Sequence, residues 1–152
     1  MKLLSILVAL TFAISTSWAA ELIEPNPELT PEEVVAIQLT ALQTNNAETT
    51  DDGIEQTWIF AHPNNKRMTG PLPRFAEMVK GPLYNMLLNH RTHQIEETLR
   101  ADSQASFTVT IVSKTGDAYA CKWTVEQVAE GEAAGAWMTT AVSAPQKVGQ
   151  AI

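Results

Sequence analysis

Two runs of alternating residues in the second half of the chain constrain its fold more than any other feature. Large apolar side chains occupy every second position over residues 107–111 and again over 119–125. This period of two predicts two strands that each bury one face. The turn sequence Lys-Thr-Gly-Asp at 114–117 predicts a hairpin between them. We expect a three-residue loop with Gly116 in or beside the left-handed position, because such a loop places both apolar sets on the same face.

The first half of the chain is patterned as helices. Thr30-Pro31-Glu32-Glu33 combines a capping residue, a proline suited to the first helical position and a capping-box glutamate, so it predicts a helix start. A second start lies at Asp51 or Asp52, and that helix stops before Pro63. The predicted elements are helices over about 30–44, 51–62 and 73–80, a loop over 63–67, a short helical piece over 83–88, strands from 91 onward, a turn over 131–135 and a last strand over 136–143.

Helices followed by strands predict an α+β fold, in which N-terminal helices pack on one face of a curved antiparallel sheet of about four strands. We expect residues 30–144 to form this single domain. Pro25 and Pro27 indicate an extended leader over 20–29, and residues 145–152 are predicted to be a flexible tail. A curved sheet closed by helices makes a cone whose mouth can hold a ligand.

The N-terminus has the pattern of a cleavable export signal. Lys2 supplies a positive charge, and a mostly apolar run follows over 3–14. That run is shorter than the roughly 20 residues that a bilayer span needs. Small side chains at Ser17 and Ala19 predict cleavage after Ala19, which makes residues 1–19 a signal peptide. We therefore expect a periplasmic or secreted protein that has no membrane attachment after cleavage.

Charge and cysteine content narrow the range of partners and of stabilising bonds. The chain of 152 residues carries a formal net charge of −7 and has no basic run, which argues against nucleic acid as a partner. Its single cysteine, Cys121, cannot form an internal disulfide, so packing must hold the domain together. A free thiol in an oxidising compartment is safest in the core, and the apolar phase of Cys121 in its strand predicts that it is buried.

Five blocks of the chain form a recognisable pattern. They are Asp52-Gly53-Ile54, Phe60-Ala61-His62-Pro63-Asn64-Asn65, Thr69-Gly70-Pro71-Leu72-Pro73-Arg74-Phe75, Met78-Val79-Lys80-Gly81-Pro82-Leu83-Tyr84 and Leu87-Leu88-Asn89-His90-Arg91. Together they resemble the domain-of-unknown-function family 4864. Residues 136–139 resemble that family's last strand, which often carries Cys where this chain has Ala136.

This resemblance implies a fold but no activity. The helix-then-sheet order is similar to the nuclear-transport-factor-2-like cone fold. That superfamily includes isomerases, hydratases, binding modules and dimerisation domains, so the fold alone does not choose a function.

Two arginines are candidate ligand-binding residues. Arg91 closes the pattern and Arg74 opens the third predicted helix, and either guanidinium is suited to grip a carboxylate or phosphate. In the alternative interpretation both are structural. Arg91 then bonds helix-end carbonyls or a carboxylate, and Arg74 pairs with a nearby acidic side chain.

The three histidines are weak candidates for a metal site. His90 and His93 are three positions apart, a spacing that shares a face on a helix but not on a strand, and His62 is distant in the sequence. No Cys or acidic residue at ligand spacing supports zinc. We expect no metal and no cofactor.

Aromatic side chains offer a pocket of another kind. Trp58, Trp123 and Tyr84 are candidates to line an apolar cavity, with His90 beside them, although their periodic placement also fits ordinary core packing. The ligand expected for such a cavity is small and apolar or anionic.

The sequence favours a ligand-binding or assembly module, the latter through a homodimer formed by the sheet. The alternative is a small-molecule isomerase or hydratase of the cone fold, which needs a cavity His or carboxylate beside a second polar group. His90 and Tyr84 are candidates for that chemistry. Asp102 lies in a predicted turn, and Glu126 falls on the polar phase of its strand.

Overall fold

The structure is a computed structural model that describes residues 21–46, 48 and 50–150. The predicted signal peptide over 1–19 lies outside the described residues. Among the described helices, none combines the length and the apolar character that crossing a membrane requires.

Within the described residues, helices precede strands, and the predicted α+β class is confirmed. The helices are α1 (Pro31–Gln43), α2 (Asp52–Ile59), α3 (Pro63–Thr69) and α4 (Leu72–Lys80), followed by a 3₁₀ turn over Asn85–Leu87. The strands are β1 (Thr92–Arg100), β2 (Gln104–Val112), β3 (Asp117–Gln127), β4 (Trp137–Val142) and β5 (Gln146–Gln150).

The start of α1 is the capping box that the sequence predicts. The Thr30 hydroxyl accepts a hydrogen bond from the Glu33 N–H at 3.2 Å, and the Glu33 carboxylate accepts one from the Thr30 N–H at 2.7 Å. Helix α2 packs closely against α1 at Gly53. A Cβ added there would lie 2.1 Å from the Ala41 carbonyl oxygen, so this contact requires glycine.

The loop predicted over residues 63–67 is wrong, because α3 begins there. The His62 ring supplies the cap, with its Nδ1 accepting a hydrogen bond from the Asn64 N–H at 3.1 Å. Pro63 occupies the first turn, where its fixed φ is favourable and its missing N–H does no harm. Histidine is not among the usual capping residues, so the sequence pattern does not indicate a helix start here.

The predicted hairpin between β2 and β3 is confirmed. Ile111 pairs with Tyr119, so odd positions face odd positions, and the Ser113 N–H donates to the Asp117 carbonyl at 2.8 Å. Residues 114–116 lie between Ser113 and Asp117, and Gly116 has a φ of 91°. We call the sheet face that carries the odd positions of β2 and β3 the inner face. It includes Phe107 and Trp123, which are 0% and 1% exposed.

The sheet is open and antiparallel, with the order β1-β2-β3-β4. A fifth strand corrects two predictions, the count of about four strands and the flexible tail from residue 145. Strand β4 pairs only with the second half of β3, from Trp123 to Gln127. The first half of that edge is left open, and β5 occupies it by pairing with Asp117–Ala120.

Among the described helices, α1 and α3 contact the sheet directly, and Gln38 of α1 bonds Trp123 on the inner face; we call the opposite face the outer face. Cys121 lies on the inner face and is 7% exposed, which confirms its predicted burial. Desolvation raises the pKa of its thiol to about 11. Cys121 is therefore protonated and unreactive at neutral pH.

Candidate ligand-binding site

A cavity of about 100 Å³ lies between the helices and the inner face of the sheet. Helix α4 contributes Phe75, Met78 and Val79 to its wall, and the segment after α4 contributes Tyr84 and Leu87. The other walls come from α1, α2, α3, β3 and β4, so every layer of the fold shapes this space. Such a volume suits a molecule of only a few heavy atoms, since an engineered cavity of about 150 Å³ holds benzene.

The floor of the cavity is a buried hydrogen-bonded group that we call the Gln38 cluster, formed by Gln38, Thr57, Trp123 and Thr139. The Gln38 side-chain oxygen accepts from Trp123 Nε1 at 3.1 Å and from the Thr139 hydroxyl at 2.5 Å. The Gln38 amide nitrogen donates to the Thr57 carbonyl at 3.0 Å. Among the described residues, no buried side-chain polar atom lacks a hydrogen-bond partner. The cluster is neutral and satisfied, so it adds polarity without an uncompensated cost of burial.

Further neutral polar groups line the cavity beside this cluster. Asn65 Nδ2 donates to the Thr139 carbonyl at 3.2 Å, and the Thr69 hydroxyl donates to the Asn65 carbonyl at 2.9 Å. The Tyr84 hydroxyl donates to the Val142 carbonyl at 2.9 Å and retains its lone pairs. Desolvation, with a smaller contribution from Cys121, raises the pKa of Tyr84, so this phenol is neutral at physiological pH.

Two of the predicted site residues, Trp123 and Tyr84, line the cavity. Trp58, a residue of α2, lies beside the cavity instead and packs against Phe75 of α4. Its ring centroid is 5.1 Å from that of Phe75, and the Lys66 ammonium lies 5.4 Å from the ring centroid. Trp58 therefore supports the cavity wall through Phe75.

Both candidate arginines lie outside the cavity lining. Arg74 is exposed on α4. Arg91 is exposed too, and its Nη2 donates to the Lys114 carbonyl at 3.1 Å, across to the β2–β3 turn. The backbone of Arg91 also ties α1 to the sheet, because its carbonyl accepts from Gln43 Nε2 at 2.7 Å and its N–H donates to Val112. These contacts are those of a structural residue.

His90 and His93 form a direct pair next to the cavity. His90 is 2% exposed, its Nδ1 lies 2.7 Å from the Leu87 carbonyl oxygen, and its Nε2 lies 2.8 Å from His93 Nδ1. The rings meet edge to face with centroids 5.0 Å apart. On a strand, side chains three positions apart point to opposite faces. His90 precedes β1, which begins at Thr92, so this rule does not apply and the two rings can meet. Desolvation lowers the pKa of both rings.

His62 lies far from that pair, in an open groove of about 420 Å³ that also contains Arg67 and Glu126. Desolvation lowers the pKa of His62, while Glu126 acts to raise it and Arg67 to lower it. Across the described ranges, no three His, Cys, Asp or Glu side chains are grouped so that they could hold a metal ion. Asp102 is exposed, as its predicted turn implies.

Sequence reasoning missed most of the polar cavity residues, namely Gln38, Thr57, Asn65, Thr69 and Thr139. One signal was available. Gln38 lies three positions after Val35 and four before Leu42, inside the apolar stripe of α1. A polar residue in such a stripe indicates a buried hydrogen-bonding role. Asn65 and Thr69 were missed because the sequence pattern predicts a loop over 63–67, where α3 begins.

Comparisons with known proteins leave the family open. No family model, no curated protein and no solved structure matches the chain. The resemblance to family 4864 and the cone-fold analogy therefore stay predictions.

Proposed function

We propose that the protein binds a small, neutral, mostly apolar molecule in the cavity between the helices and the sheet. The observation that supports this most is the character of the lining, which combines apolar side chains with uncharged hydroxyl and amide groups. A buried anion would meet no cation there, and burying an unpaired charge is costly. Because Arg74 and Arg91 lie elsewhere, the neutral ligand is favoured over the anionic one.

The polar groups suggest one hydrogen-bonding group on the ligand. The Tyr84 and Thr69 hydroxyls already donate to carbonyls, so their lone pairs suit a ligand that donates, such as an alcohol, while Phe75, Met78 and Val79 suit the apolar part. An isomerase of the predicted kind needs a His or carboxylate at this floor, where the chain has Gln38 and Thr139. Binding is therefore favoured over catalysis.

A binding assay with matched ligands tests this proposal. Propan-2-ol should bind and perturb the amide resonances of Met78 and Thr139 in NMR spectra, whereas acetate, which has the same number of heavy atoms, should not. Val79→Phe fills the cavity and should abolish binding, while Glu77→Phe, on the exposed side of α4, should bind as the wild type does. Equal binding of the carboxylate, or no response to the alcohol, would contradict the proposal.

The outer face of the sheet supports assembly as a second function. Glu96, Thr108 and Lys122 lie side by side across β1, β2 and β3, in the middle of a face rich in Thr, Ser and Ala. In a face-to-face dimer whose two-fold axis runs parallel to β2 at Thr108, Glu96 of each chain would lie opposite Lys122 of the other. This self-complementarity favours a homodimer, for which a stable interface needs about 800 Å² per partner.

Sedimentation velocity tests that dimer. Thr108→Arg places two like charges at the two-fold axis and should give a monomer, whereas Thr40→Arg, on the exposed side of α1, should leave the dimer intact. A wild-type protein that sediments as a monomer at high concentration would remove the proposal.

Export is likewise proposed, from the pattern of residues 1–19 alone. N-terminal sequencing of the protein made in an exporting bacterial host should give Ala20 as the first residue. A start at Met1 would contradict cleavage after Ala19.

A further inference from the structure

The His90–His93 pair has a definite arrangement of protons. A carbonyl can only accept, so His90 Nδ1 must carry the proton that bonds Leu87 at 2.7 Å. The Nε2 of neutral His90 is then an acceptor, and His93 Nδ1 must donate to it across 2.8 Å. The Nε2 of His93 is left as the basic site of the neutral pair.

This arrangement can take one proton without breaking, but not two. The first proton adds to His93 Nε2 and leaves the bond between the rings in place, because His93 Nδ1 still donates. The second adds to His90 Nε2, the only acceptor in that bond. Two N–H donors on two cationic rings would then face each other at a hydrogen-bond distance, so the contact must open.

The groups around the pair lower the pH at which its rings are protonated and its contact opens. Burial, the Leu87 carbonyl and His93 itself influence the pKa of His90, and burial alone acts on His93. The net effect lowers the pKa of each ring, so protonation falls below the ordinary histidine value of 6.5.

The neighbouring elements place few charges beside the rings. On the same sheet face as His93, the neighbouring residues of β1 and β2 are the apolar Ile95 and Ile111. The titratable groups that β3 contributes to this face are Tyr119 and Cys121. The exposed guanidinium of Arg91, next to His90, reaches the Lys114 carbonyl. From α1, the neutral amide of Gln43 bonds the Arg91 carbonyl.

The pair is joined to the cavity wall through a short segment. The Tyr84 and Leu87 side chains line the cavity, and the carbonyl of Leu87 is the one that His90 holds. The hydrogen bonds that attach this segment to the rest of the core include those from Tyr84 to Val142, from the Asn89 N–H to the Leu42 carbonyl at 2.9 Å, from Asn89 Nδ2 to the Asn45 carbonyl at 2.8 Å, and between His90 and His93. When the histidine contact opens, this segment loses its hydrogen bond to β1.

We propose that the His90–His93 pair makes ligand binding pH-dependent, an inference that rests on the proposed binding function. When both rings are protonated, their contact opens, the segment that carries Tyr84 and Leu87 is released from the cavity wall, and ligand affinity falls. Since binding and protonation are linked, a bound ligand also resists the second protonation.

NMR on the full domain between pH 7.5 and 5.0 tests this inference. In the wild type, the amide resonances of Tyr84 and Leu87 should move together with the titration of the His90 ring. His90→Asn keeps a nitrogen donor for the Leu87 carbonyl but cannot be protonated, so it should remove that pH dependence. His62→Asn changes the distant third histidine and should behave as the wild type.

Propan-2-ol affinity supplies the second measurement. It should fall at least about fivefold on acidification in the wild type and in His62→Asn, the lower end of usual coupling between sites. Unchanged amides while both rings titrate, or a pH response that persists in His90→Asn, would overturn the inference. If His90→Asn does not fold, the wild-type amides decide alone. If propan-2-ol does not bind at pH 7.5, the proposed function fails, and the Tyr84 and Leu87 amides still decide whether the contact opens.

Discussion

The Gln38 cluster and the His90–His93 pair lie in the same core, but their chemistry differs. The Gln38 cluster contains an amide, an indole and hydroxyls, none of which changes charge near neutral pH. The histidine pair is built from the side chain whose charge does change there. One cluster can therefore hold the two layers together at every physiological pH, whereas the proposed role of the other ends once both rings are protonated.

Their positions differ as well. The Gln38 cluster joins α1 to β3 and β4, at the centre of the inner face. The histidine pair joins the segment after α4 to β1, an edge strand whose residues are mostly exposed. We expect the central cluster to determine global stability and the edge pair to determine local opening.

The largest effect should come from Gln38→Leu. The Thr57 carbonyl and the Thr139 hydroxyl each lose a buried partner, which should lower the free energy of unfolding by about 3 kcal/mol. Urea denaturation measures this loss, which should be the same at pH 7.5 and pH 5.5. Gln43→Leu on the same helix is the control and should lose less than about 1 kcal/mol. A loss below about 1 kcal/mol for Gln38→Leu would show that the cluster is not central.

Thr139→Val should have an intermediate effect. It removes one hydroxyl that donates to Gln38 and accepts from Trp123, while the Trp123 N–H keeps its bond to Gln38. The free energy of unfolding should fall by about 1.5 kcal/mol. Thr139→Ser retains the hydroxyl and should lose less than the valine variant; the reverse order would mean that methyl packing, not hydrogen bonding, matters at this position.

His90→Asn should have the smallest effect at pH 7.5, about 1 kcal/mol, because it loses the bond to His93 but can keep the one to Leu87. The wild type should lose stability as the pH falls below the ordinary histidine value of 6.5, since the lowered pKa values mean that the unfolded chain binds more protons. His90→Asn lacks part of that response.

The difference in stability between the wild type and His90→Asn should therefore narrow by pH 5. Urea denaturation at several pH values measures it. A difference that widens on acidification would contradict the assignment of lowered pKa values to the pair.

Local sequence signals predicted much of the fold. The capping box at Thr30 and the hairpin with Gly116 are correct because each depends on a few adjacent residues. The start of α3 was missed because its cap is a histidine, and β5 was missed because the need for it arises from the short reach of β4 along β3.

The candidate site was less predictable. Trp123 and Tyr84 were named because aromatic residues line pockets in general, whereas Gln38 and Thr139 meet across 101 positions of sequence. Regular helix and strand periods do not predict the contact between His90 and His93, because the two residues meet at a bend, where neither period applies.

By itself, the sequence determined the helix-then-strand order, the face that each central strand buries and the burial of Cys121, because period and turn chemistry act over a few residues. Only the tertiary structure decided that the inner face carries a neutral polar floor, that the candidate arginines lie away from it, and that two histidines share a hydrogen bond beside it. Those features depend on side chains brought together from distant positions, and no local pattern encodes which of them will meet.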